Sequence, residues 1–483
     1  MLSDRQLSEL LYDAVAANDV PAVEKAIADG ADVNYRKPVL HRSVQAIAGR
    51  EWSPLHQSVF NNHVGITALL LHHRASVTLQ DQRGNTPCHW GALLGHTACL
   101  RELLRHDPAA VHIANEGGAT CLHAAVASSA SSSTSTSSSS SHAIAAAAAT
   151  TTNALSPSSS SSSSSTTSGA SSTANASSSI STIGCLELLV LEAGAFINAQ
   201  CSRGWTPLHH AAFADDQAIV CFLLEHRASV TLRDIDGDTA LHKAAAAANH
   251  STTIAPLIAF AADVDARSSA GETPLHVAIR RRHQAAAFDL IVRYNASITV
   301  VTERGLSPLH YAVASGLVGL VSFLIERGCN VNQSTYDGST PLLLATALLG
   351  PDSPNDQGDG PKRGPMRIPH LNSIVCNTLE SNGTKEHIAC ELFSSMHEIA
   401  RAELAFEMAR LLLAKGADPM ISNSCYETPF HLAAFHGGTP ILEALIAQKT
   451  TPAATRPTGM VRSRTIVHPA SSYAAVASGS ASA

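Results

Sequence analysis

The stretch "WTPLHHAAFADDQAIVCFLLEHRASVTLRDIDGDTALH", residues 205–242, opens and closes on nearly the same word, TPLH and TALH, whose starts lie 33 residues apart. Each letter has a local reason. Thr206 suits a helix N-cap, its hydroxyl accepting from backbone N–H groups of the first turn. Pro207 follows at the first helical position, where it gives up no hydrogen bond and its φ already fits a helix. Leu208 starts an apolar stripe that Ala211 and Ala212 continue with side chains small enough for close helix approach. His209 falls within reach of the capping hydroxyl. The run Ile219–Leu224 has the spacing of a second helix. Gly237, two residues before the next cap, marks a backbone that turns through positive φ.

The word recurs along the chain: SPLH at 53, TPCH at 86, TCLH at 120, TPLH at 273, SPLH at 307, TPLL at 340 and TPFH at 428. Successive starts lie 33, 34, 86, 33, 34, 34, 33 and 88 residues apart, so the two long gaps are one period plus an insertion. Gly84, Gly118, Gly204, Gly237, Gly271, Gly305 and Gly338 keep the place before the cap, and Gly30, Gly194, Gly328 and Gly416 close second helices.

TPLH-x-A at a period of 33 resembles the signature of the ankyrin-repeat family. The resemblance implies an all-α solenoid of about ten helix-turn-helix units with projecting β-turn fingers and a concave binding wall. The first unit, about 7–34, lacks the word and reads as a cap; eight fuller units follow, and the last, 424–449, closes the stack. The expected organisation is repeats over 1–126, a Ser/Ala-rich disordered insertion over 127–182 and repeats over 183–350. An insertion over 351–400, repeats with a C-terminal cap over 401–449 and a disordered tail over 450–483 complete it. The first insertion has no Asp, Glu, Lys or Arg and too little apolar surface to offset chain entropy. The second begins Pro- and Gly-rich but ends with Ile388, Leu392, Met396 and Ile399 at helical spacing, so helix two of its unit is expected to extend backwards.

Composition narrows the function. The net charge of −7 argues against nucleic-acid affinity from bulk charge, and no apolar run of about 18 residues exists to span a bilayer. With no signal core and ten scattered cysteines lacking any CxxC pair, the chain reads as soluble and cytoplasmic, with the nucleus as the alternative site. No phosphate loop, nucleophile elbow or HExxH is present, and the repeat itself accounts for His56, His89, His123, His209, His242, His276, His310 and His431. Catalytic residues, cofactors and metal ligands are therefore expected to be absent, and the chain to be a monomer that binds another protein without reacting with it.

In the resembled family, contacts come from finger positions four, three and one before the cap and from the end of the first helix. Carried onto this chain, these are Gln82, Arg83, Asn85, Arg203, Trp205, Phe213, Asp236, Asp238, Glu272, Arg280, Arg281, Glu303, Arg304, Tyr336 and Asp337. Trp205 beside Arg203 has the composition of an exposed interface hot spot. The long first finger (35–50) adds Arg36, Lys37 and Arg42, an expected contact for an acidic partner. The expected function is a scaffold or adaptor; the alternative is a substrate-recognition subunit of a ubiquitin ligase or other modifying complex. Asn34, Asn198 and Asn332 occupy the finger position that family members can have hydroxylated.

Overall fold

The capping chemistry of the repeated word is present unit after unit. In the computed structural model, which describes residues 3–36, 51–130, 182–248, 251–348, 398–435 and 437–450, the described residues form helices in ten pairs and no strand. The pairs are α1 (Asp4–Ala16) with α2 (Val20–Ala28), α3 (Pro54–Phe60) with α4 (Val64–His72), and α5 (Pro87–Leu93) with α6 (Thr97–His106). Next come α7 (Cys121–Ala130) with α8 (182–192), α9 (Pro207–Phe213) with α10 (Gln217–Glu225), and α11 (Ala240–Ala247) with α12 (Ile254–Ala259). Then follow α13 (Pro274–Arg280) with α14 (Gln284–Val292), and α15 (Pro308–Ala314) with α16 (Val318–Glu326). The last two are α17 (Pro341–Ala347) with α18 (Glu398–Ala414), and α19 (Pro429–Phe435) with α20 (Thr439–Thr450).

Every odd-numbered helix packs on the next, from α1 through α19, so the units stack in one file. One large apolar core runs the length of it, from Leu11 to Leu445, with Leu343 and Leu432 in a small cluster of their own. No one unit can bury its own stripe; each buried Leu, worth about 1.5–3 kcal/mol, is covered by the neighbouring pair. Ala211, Ala212, Ala244, Ala245, Ala278 and Ala312 are wholly buried, and their small side chains let the first helices approach closely.

Histidine ties the units together. The imidazole Nδ1 lies 2.8 Å from the capping hydroxyl in His56, His89, His209, His310 and His431. It also accepts the cap's own backbone N–H, as Thr206 to His209 at 3.2 Å. With Nδ1 accepting, the proton sits on Nε2, which donates to the carbonyl just before the next unit's cap. His56 reaches Asn85 (3.1 Å), His89 Ala119 (2.9 Å), His123 Trp205 (3.0 Å), His209 Asp238 (3.2 Å), His242 Glu272 (3.1 Å) and His310 Ser339 (3.3 Å). His276 keeps the cap contact (2.9 Å), while among the described residues its buried Nε2 has no hydrogen bond of normal geometry, the Leu306 backbone being the group it faces. A second layer of bridges went unread in the sequence: His63, His96 and His283, before second helices, donate from Nδ1 to Val15, Val59 and Ala245 of the preceding unit.

The fingers form a ladder of their own. The N–H four before each cap donates to the carbonyl three before the previous cap: Glu116 to Arg83, Ser202 to Gly117, Ile235 to Arg203, Ser269 to Asp236, Glu303 to Ala270, Tyr336 to Arg304 and Ser424 to Asp337, at 2.8–3.2 Å. The glycine two before the cap therefore has a second reason beyond its positive φ. At Gly237 (φ +76) a Cβ would stand 2.5 Å from the Ser269 nitrogen on the next finger.

Helix α18, at 17 residues against nine in α16, begins upstream of the usual register. Ile399 lies within it, whereas Ile388, Leu392 and Met396 lie outside the described residues, as do most of the two insertions and residues 451–483.

Candidate protein-binding surface

Each finger is shaped by the residue five before its cap. Asp81 Oδ1 accepts from the N–H groups of Arg83 and Asn85 (both 2.9 Å), and Asp234 Oδ1 from those of Asp236 (3.0 Å) and Asp238 (2.8 Å). The Thr302 and Thr335 hydroxyls make the second of these bonds, accepting from the N–H groups of Leu306 and Ser339. Such side-chain turns hold the tip while leaving the two residues that follow free to vary.

The anticipated contact residues fall into two groups. Gln82, Arg83, Arg203, Glu303, Arg304, Tyr336 and Asp337 are exposed on the tips. Asn85 and Glu272, directly before their caps, are only 6% and 3% exposed, which corrects their assignment as open contact positions. The carbonyl there is the acceptor for the preceding unit's histidine, and that bond draws the residue inward. Asn85 Oδ1 is taken up by Asn115 Nδ2 (2.9 Å). The Glu272 carboxylate accepts from Tyr311 Oη at 2.6 Å and from Arg280 Nη2 at 3.3 Å. Burial, reinforced by the Glu272 charge, pushes the Tyr311 phenol well above its ordinary range. Arg280 and Arg281 are half-buried at the end of α13.

Trp205 is half-buried, not the exposed hot spot that the sequence suggests. Its ring lies 4.8 Å from His210 and 5.6 Å from Phe213, and Lys243 Nζ stands 4.9 Å from the ring centroid. Lys243 reaches Asp234 (2.7 Å) and Asp238 (2.8 Å). Burial alone would lower the Lys243 ammonium, but the Asp238 and Asp234 carboxylates outweigh it and raise it. Asp236, half-buried like Asp238, is raised by desolvation and by the Asp234 charge. Across the second and third units an aromatic trio, Trp52, Phe60 and Trp90, lines the same face at centroid distances of 4.9–5.9 Å, and Trp90 Nε1 donates to Asp81 (3.1 Å).

Trp90, Lys243 and Tyr311 share one register, the letter after His in the repeated word, which sequence reasoning passed over. Its signal was present: that letter varies in nearly every unit, while the letters on either side are His in all but one unit and Ala in all but two. Arg36 is exposed with Glu51 3.8 Å away, while Lys37 and Arg42 lie outside the described residues. Asn34, Asn198 and Asn332 have work within the fold. Their Oδ1 atoms accept the backbone N–H of Ser76, Ser229 and Asp418 in the next unit, each at 2.8 Å.

A family model for three ankyrin repeats matches residues 11–110, 55–134, 230–300 and 284–351. The chain belongs to the ankyrin-repeat family. Models for many copies of ankyrin repeats match 190–244 and 399–446, so that, with the first model, units on both sides of each insertion are matched. Among curated proteins, the mouse (Mus musculus) RelA-associated inhibitor is 44% identical over 55 residues, 11% of this chain and 7% of that protein. The chain thus spans only a small part of that relative's length. Among solved structures, the ankyrin repeat domain of Bcl-3, described as a unique member of the IkappaB protein family, shares 24% identity. That match covers 54% of this chain and 90% of the other, with a TM-score of 0.37. Among the described residues no helix is long and apolar enough to cross a membrane, and no three His, Cys, Asp or Glu side chains are grouped to hold a metal ion.

Proposed function

We propose that this ankyrin-repeat chain is a non-enzymatic scaffold or adaptor that binds a partner protein across its fingertips and the adjoining ends of its first helices. One observation supports this reading above others: a constant frame carries variable tips. The ladder bonds, the caps and the histidines repeat almost unchanged. The two residues that the frame holds out run Gln82-Arg83, Glu116-Gly117, Ser202-Arg203, Ile235-Asp236, Ser269-Ala270, Glu303-Arg304, Tyr336-Asp337 and Ser424-Cys425. A fold needs none of that variety, whereas recognition of an irregular partner surface does. Because the tips are fixed by backbone bonds before any partner arrives, little ordering entropy is lost on association.

The test is affinity capture followed by mass spectrometry, with Arg83, Arg203 and Arg304 reversed to Glu in one variant. Arg101 and Arg105, on the exposed side of α6, are reversed in another. Loss of specific partners in the first variant and their retention in the second is the expected outcome. Equal retention in both overturns the assignment of the finger face.

A further inference from the structure

The tenth unit ends the described stack with its stacking face open. Registers of the repeat that the next unit covers elsewhere are uncovered here. The residue six after the cap is wholly buried as Ala212, Ala245, Ile279 and Val313, but Ala434 in that place is exposed. The residue eighteen after the cap is buried as Leu71, Leu104, Leu224 and Ile291, but Ile446 is 54% exposed. Phe430, in the place of the buried Leu208 and Leu275, is half-buried. His431 is exposed, with its Nδ1 on the cap of α19 as in the other units, 2.8 Å from the Thr428 hydroxyl. In six earlier units Nε2 then donates to the carbonyl before the next cap. Among the described residues His431 Nε2 has no such acceptor. A terminal repeat ordinarily turns a polar face to water, and this one turns an apolar face.

The sequence holds a cover at the right distance. In eight units the cap falls 14 or 15 residues after the end of the preceding second helix, as from Glu225 to Thr239 and from Val292 to Ser307. Helix α20 ends at Thr450, and 15 residues on stands Thr465. The run Thr465-Ile466-Val467-His468-Pro469-Ala470 has the Thr, the apolar third letter, the His and the Ala of TPLH-x-A at their spacing. It lies outside the described residues. We infer that residues 465–476 of this same chain dock on the open face of the tenth unit as a lone first helix. Val467 and Ala470 cover Phe430 and Ala434, and His431 Nε2 donates to the Arg464 carbonyl. Pro469 falls in the first turn, where proline is tolerated. The 14 residues between Thr450 and Thr465 hold the segment at high effective concentration, so a modest contact area suffices. The finger ladder takes no part. Tyr426 stands, at φ +62, where glycine elsewhere lets the next finger pass closely, and Met460 stands where Asp81, Asp234, Thr302 and Thr335 shape the turn. The inference is independent of the fingers as a binding face, and neither falls with the other.

The experiment is hydrogen exchange read by mass spectrometry on the full chain, with sedimentation velocity alongside. In wild type the amides of 466–476 should exchange about tenfold below their intrinsic rates, and the chain should sediment as a monomer. Val467→Asp places a charge on the docking stripe, and Ala434→Arg fills the face from the other side. Each should return those amides to about their intrinsic rates. Because Ala434 is exposed, helicity by circular dichroism should stay at the wild-type value in the second variant. Ser480→Asp, beyond the segment, should leave the exchange as in wild type. Intrinsic exchange of 466–476 in wild type overturns the inference, as does protection that survives both variants. An equal loss of protection in Ser480→Asp does the same. Protection that appears only where the chain self-associates also overturns it, since the segment would then belong to a second copy.

Discussion

Lowering the pH from 7.5 to 5 should unfold this chain, and the repeat histidines set the size of the effect. Burial lowers the imidazoles of His56, His123, His209 and His310 from the ordinary 6.5 to about 4, and that of His276 to about 3. The unfolded chain therefore binds protons first. The contribution of these groups is complete above pH 6.5 and is lost as the pH falls towards 4. At pH 5 each forfeits about 2 kcal/mol, since one pH unit between the two values is worth about 1.4 kcal/mol. Five such groups act in the same direction against a domain stability of about 5–15 kcal/mol, opposed by His89, whose imidazole burial alone would lower but the Cys121 charge raises. The chemistry behind it is specific: Nδ1 of His209 already accepts the Thr206 N–H, so a second ring proton would face a donor. Helicity followed by circular dichroism at pH 7.5, 6.5, 5.5 and 5 should show the melting temperature falling steeply below 6.5. His310→Leu, which copies the Leu343 found in the following unit, should melt lower at pH 7.5 but take up about one proton fewer on unfolding at pH 5. A melting temperature flat from pH 7.5 to 5 would refute the reasoning.

Further outcomes follow from single contacts. Lys243→Ala should destabilise the chain by about 3–5 kcal/mol in urea unfolding, because it strands the fully buried Asp234 side chain without its cation. Gly237→Ala should cost more than Gly416→Ala: both have positive φ, but only at Gly237 would the Cβ collide with the next finger. Hydrogen exchange at the Ser269 amide should quicken only in the former. Thr206→Val should cost about 0.5–2 kcal/mol by removing the hydroxyl that caps α9 and meets His209.

The helical pairs were legible because the repeated word spells a local mechanism: a cap, a proline that tolerates its place, and a histidine facing the cap. The glycine before the cap was read as a conformational need, and its closeness to the next finger was hidden because that contact joins residues about 32 apart, as Gly237 and Ser269. The same distance in sequence explains the misread surface. Trp205 looks exposed from its own finger, but Lys243 of the next unit reaches over its ring. Asn85 and Glu272 were carried over from a family pattern of positions. Their burial follows from Asn115 in one case and from Tyr311 in the other, neither of which neighbours them in sequence.

The most direct measurement is hydrogen exchange on the chain with and without a captured partner. If the stacked fingers are the gripping face, protection should gather at residues 82–84, 202–204, 303–305 and 336–338, leaving the exposed sides of α6, α10 and α16 unchanged. Protection confined to those even-numbered helices, with fingertip amides exchanging as before, would contradict it.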